Sequence, residues 1–133
     1  MEPAVSSLLL DERKRDHMNI GELIKALDAC HPTAIVSIVS PLPCVPALEF
    51  CSYRGYYDRL CIMPVEGHDG PTAGALSAAL REAMGQVFVG WKGGEYVYHA
   101  DTLVHCAREG STGPEVVGVT SEYDYLVWLE VRR

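Results

Sequence analysis

Two short stretches concentrate the residues with chemical capacity: SYRGYY at 52–57 and GWKGGEY at 90–96. In the first, Tyr53, Tyr56 and Tyr57 surround Arg54 and Gly55. Around the second stand Phe88, Trp91, Tyr96 and Tyr98, with Lys92, Gly93 and Gly94 at its centre. Aromatic faces and a guanidinium plane stack on nucleobases, while guanidinium, ammonium and glycine amides hold phosphates. Together they point to a small phosphorylated ligand. The competing reading is structural. A hairpin turn needs glycine for positive φ, which accounts for Gly93 and Gly94 but not for Trp91 and Lys92 beside them. The segment is not a P-loop, which requires GxxxxGK[ST] between a strand and a helix. A tyrosine at a turn is also an ordinary lid over a core.

Other chemistries are less well supported. Cys30 precedes His31 and Cys106 follows His105, but neighbours on a strand point to opposite faces, so adjacency does not set thiol against imidazole. Five histidines and five cysteines match no structural zinc spacing. His68 and Asp69, with His99 and Asp101, are the best candidates for a divalent ion. No acid–base pair stands out. We therefore expect no catalytic residue, no metal and no cofactor.

These residues must be positioned by a small scaffold. The chain has 133 residues, enough for one core. Its formal charge of −7 disfavours a nucleic-acid polymer as partner. No apolar run is long enough to cross a bilayer or to act as a signal peptide. Five cysteines without a CxxC pair suggest reduced thiols and a cytoplasmic address. Residues 1–17 carry the mixed-charge run DERKRD after a short apolar stretch and read as a flexible tail. The folded domain is expected over 18–133.

Asn19 and Glu22 form a capping box, and Ile20, Leu23, Ile24 and Leu27 repeat at helical spacing, with Pro32 as the stop. Strands are expected at 33–39, 48–52 and 58–65, with the three prolines of 41–46 in a loop or on an edge. A second helix runs from its cap Thr72 to about Met84, stopped by Gly85. Strands at 86–91 and 96–99 make a hairpin, followed by a strand at 102–107 and a hairpin from 115–120 and 125–131. Two short helices cannot cover a parallel sheet on both faces. The expected class is α+β, a single domain with a mainly antiparallel sheet.

At these positions the chain resembles the first-described family of phage anti-Thoeris sponge proteins. The resemblance is carried by MNIGELI at 18–24, SYRGYYDRL at 52–60, TAGAL at 72–76, FVGWKGGEY at 88–96, and Asp101-Thr102. It covers roughly residues 18–107. It implies a non-enzymatic protein that sequesters cyclic ADP-ribose isomers in the cytoplasm of the host bacterium. It also implies a homo-oligomer built from dimers, with the nucleotide held where two chains meet. Some members form hexamers that also capture the cyclic di- or trinucleotides of CBASS defence. Carried over, Arg54 and an aromatic from Phe88 or Trp91 would sandwich the adenine, and Asp101 or Thr102 would add polar contacts. Lys92, Gly93 and Gly94 would meet the pyrophosphate, and Tyr53 and Gly55 would complete the site. Leu103 stands where the family pattern has proline, and His105 where it has a more apolar residue.

Three readings follow. The first is a sponge for cyclic nucleotides. The second is a protein-binding inhibitor of a host defence factor, or a structural phage protein, whose aromatic turns meet another chain. The third is a hydrolase of the same nucleotide signals.

Overall fold

The computed structural model describes residues 17–53, 56–89, 93–107 and 114–132, with only the backbone path at 51–53 and 56–58. In chain order they form α1 (Ile20–Asp28), β1 (Ile35–Ile38), β2 (Cys44–Tyr53), β3 (Tyr56–Glu66), α2 (Ala73–Met84), β4 (Phe88–Val89), β5 (Glu95–Tyr96), β6 (Leu103–Cys106), β7 (Glu115–Glu122) and β8 (Leu126–Arg132). The α+β class and the order of helix, three strands, helix and five strands are as expected.

Local chemistry explains the helices. The Asn19 side chain accepts from the Glu22 amide at 2.7 Å and the Glu22 carboxylate accepts from the Asn19 amide at 3.0 Å. This capping box satisfies donors that the first turn would leave exposed. Thr72 caps α2 by accepting from the Ala75 amide at 3.0 Å. Gly85 ends α2 with φ −93, so it stops the helix without the left-handed turn that a glycine at that place favours. The helices are tied together at Asp28, which accepts from the Ser77 hydroxyl at 2.6 Å and pairs with Arg81.

The strands form a six-stranded sheet, β1-β8-β7-β6-β3-β2, and a separate β4-β5 hairpin. Antiparallel pairs are in the majority, but the sheet is mixed: β1 runs parallel to β8, and β3 runs parallel to β6. The second pair is a βαβ unit, in which α2 carries the chain back to start β6 beside β3. Pro46 is accommodated because β2 lies last in the sheet order, where a missing amide donor is tolerated.

Two segments outside the strands complete the sheet. β6 and β7 pair through His105 and Glu115, and residues 18–20 then run between them. Met18 donates to the Val116 carbonyl and accepts from the Val104 amide, and Ile20 donates to the Thr102 carbonyl. His17, assigned to the tail by its sequence context, is held too: its Nε2 lies 2.8 Å from the Val104 carbonyl oxygen. At the other margin, the Val36 amide donates to the Pro71 carbonyl. Gly70 sits so close to β1 and β2 that a Cβ there would lie 2.2 Å from the Val36 carbonyl oxygen. Only glycine fits.

One core joins helices to sheet: Leu23 and Leu27 of α1, Leu76 and Leu80 of α2, and Leu60, Ile62, Val104, Val116, Val127 and Leu129 of the strands. The alternate residues of β3 and β6, among them Arg59, Cys61 and His105, belong to the other face. There Cys61 and Ala107 form a small buried cluster of their own.

Candidate functional site

The β4–β5 hairpin brings Phe88 opposite Tyr96. Their rings stack at 5.3 Å and 19°. Tyr98, fully buried, meets Tyr96 edge-on at 5.5 Å and Phe88 at 5.2 Å. These rings therefore pack first on one another, as offset and T-shaped aromatic pairs do. Gly93 has φ +92 with open space where a Cβ would stand, so the turn itself requires it. Gly94 needs no positive φ, which corrects the expectation that both glycines supply one.

Beyond the hairpin the chain turns through residues 97–102 into β6. The Thr102 hydroxyl accepts from the His99 amide at 2.9 Å, and the Thr102 amide donates to the His99 carbonyl at 3.0 Å. Thr102 is 6% exposed, so its role in the turn is structural. Gly21 packs against Ala100, its amide donating to the Ala100 carbonyl at 2.8 Å, and this fixes the turn to α1.

This turn and β3 enclose a cleft of about 510 Å³ lined by Arg59, Glu95, Tyr96, Val97, His99, Asp101, Thr102 and Leu103. The size lies in the range of small-molecule sites. Of the residues the sequence pointed to, Asp101 and Thr102 line it. Phe88 does not: it borders a separate hollow with Leu48, Phe50 and Ala79. Tyr53 is described only as the last residue of β2. Arg54, Gly55, Trp91 and Lys92 lie outside the described residues.

Arg59 is the residue that sequence reasoning missed. It lies in the SYRGYYDRL string, yet its role depends on which face of β3 it occupies. Leu60 and Ile62 face the core, so Arg59 faces away, on the side of His105 from the neighbouring β6. Arg59 Nη1 and His105 Nε2 are 3.0 Å apart. The His105 ring meets the His17 ring edge-on at 4.4 Å. His17 Nδ1 is 3.2 Å from the Glu115 carboxylate, which also accepts from Arg132 at 2.8 Å. The Arg132 hydrogen bond, aided by the charges of His17 and Arg132, holds the Glu115 carboxyl below its usual range against a smaller opposing effect of burial.

Two of the cysteines, Cys106 and Cys30, make poor nucleophiles. Burial and the neighbouring thiols Cys44 and Cys61 push the Cys106 thiol up to about 12. His105, its sequence neighbour, is turned to Arg59 instead. Burial also raises Cys30, whose thiol donates to the Ala26 carbonyl at 3.4 Å. Among the described residues no group of three or more His, Cys, Asp or Glu could hold a metal ion. Among them, too, no helix is long and apolar enough to cross a membrane. No family model matches the chain, and neither a curated protein nor a solved structure was found to match it.

Proposed function

We propose that this protein captures a cyclic nucleotide of the cyclic ADP-ribose class and holds it unaltered. The observation that carries this reading is the mixed chemistry of the residues that line one cleft: aromatic Tyr96, cationic Arg59 and acidic Asp101 and Glu95. A nucleotide presents a matching set. Its base stacks on an aromatic ring, its phosphates meet a guanidinium, and its hydroxyl and amino groups donate to carboxylates. Capture requires binding and no bond-breaking step, which agrees with thiols as buried and protonated as Cys106. On this reading a second copy of the chain closes the cleft, the protein works in the cytoplasm of an infected bacterium, and cyclic di- or trinucleotides are further candidates.

The test is recovery. Purified protein is mixed with cyclic ADP-ribose isomers and cyclic oligonucleotides, filtered free of unbound ligand and then denatured. Release of intact cyclic ADP-ribose isomer is the expected result. A cleaved product would make the protein an enzyme, and no depletion of any nucleotide would overturn the reading.

A protein partner is the second reading, favoured by one observation. At the β7–β8 turn, Tyr123 and Tyr125 are 78% and 65% exposed and stack on each other at 5.5 Å. Exposed tyrosines are frequent anchors of protein interfaces.

A further inference from the structure

We propose that Arg59, oriented by His105, is the anion anchor of the cleft, and that its ligand group is a nucleotide phosphate or pyrophosphate. The nucleotide part of this rests on the function proposed above, whereas the anion site stands on its own geometry.

The Arg59 and His105 side chains meet directly. A guanidinium has donors only, so at 3.0 Å His105 Nε2 must be the acceptor. The imidazole in this contact is then neutral, with its proton on Nδ1. A neutral partner aims the guanidinium without cancelling its charge, as a carboxylate would. Among the described residues no carboxylate is paired with Arg59, although Glu95 and Asp101 line the same cleft. The orienting ring is itself fixed. His105 is 4% exposed and packs edge-on against His17, which lies between the Val104 carbonyl and Glu115.

The guanidinium fork that remains suits two phosphate oxygens. In a chain of net charge −7, such a local cation is what an anionic ligand needs. The same cleft discriminates against a bare phosphate. Asp101 and Glu95 repel it, but they accept from the hydroxyl or amino groups that a nucleotide carries on its base and sugar.

The experiment is calorimetric titration of the full chain with cyclic ADP-ribose and with ADP as separate probes. Arg59→Lys keeps the charge and loses the fork, and should weaken binding about tenfold. Arg59→Met should weaken it about a hundredfold and flatten the salt dependence. His105→Gln retains an acceptor and should stay within about threefold of the parent. His105→Leu should approach the loss seen with Arg59→Lys, which a merely space-filling role would not produce. Melting temperatures of all four variants check that they are folded, and Arg59→Lys serves if Arg59→Met is not. Unchanged affinity in the Arg59 variants would overturn the anchor while leaving the nucleotide reading intact. If the parent ignores cyclic ADP-ribose but binds ADP through Arg59, the anchor stands and the proposed function falls. Binding of neither probe overturns both.

Discussion

The two faces of β3 and β6 divide the work of this molecule. Toward the helices, Leu60, Ile62 and Val104 are fully buried and continuous with the leucines of α1 and α2. On the opposite face, one residue along each strand, Arg59 and His105 form a polar contact that opens onto a cleft. The backbone and its hydrogen bonds are shared, so the difference lies entirely in side-chain parity. The helix-facing side supplies stability by removing apolar surface from water. The other side keeps its charge available because the helices never cover it. A binding residue can therefore be rigid without being part of the main core.

The largest effect that would break this contrast comes from the helix face. Leu60→Ala should lower unfolding free energy by about 2–5 kcal/mol in urea denaturation, the usual cost of a leucine cavity. Arg59→Met on the same strand should cost less, about 1 kcal/mol, chiefly from leaving the His105 ring nitrogen without its donor. Comparable losses from both would erase the division. Next in size is Gly70→Ala, whose new Cβ would strike the Val36 carbonyl. Forcing a group into a filled site costs about 1–3 kcal/mol, and the damage should appear as amide exchange at the β1 margin while β6 stays protected. The smallest effect is acid sensitivity. Asp28 is lowered chiefly by the Ser77 hydrogen bond and then by Arg81, and Glu115 chiefly by that of Arg132. Both carboxyls therefore bind protons more readily unfolded than folded. Their contribution is complete above the ordinary values of 3.8 and 4.5 and is lost as pH falls below them. Melting temperature should fall across that acidic window, and Ser77→Ala should reduce the slope.

What was legible in the sequence was local. The capping box of Asn19 and Glu22, the apolar spacing of α1 and the cap of α2 at Thr72 involve residues within one or two turns, and each occurs where its pattern indicates. The parallel pairs were hidden because β1 meets β8 across most of the chain, and no local signal encodes that meeting. His17 was hidden by its charged neighbours, since its partners Val104 and Glu115 come from distant strands. In the candidate site, aromatic composition was a poor guide to orientation. Phe88 and Tyr96 spend a face on each other, and Tyr98 lies inside the core. Asp101 and Thr102 do reach the cleft, but Thr102 uses its hydroxyl to hold the turn. Arg59 could be recognised only once the register of β3 on β6 was known.

The strip of chain at 18–21 that fills the gap beside β6 has a consequence for how occupancy of the cleft would be sensed. Ile20 and Gly21 donate their amides to Thr102 and Ala100, the backbone of the turn that forms one wall of the cleft. Opening that wall must break these bonds and loosen the first turn of α1, so the two motions form one cooperative unit. A ligand that steadies the wall should slow deuterium uptake at Ile20 and Gly21, on a segment it never touches.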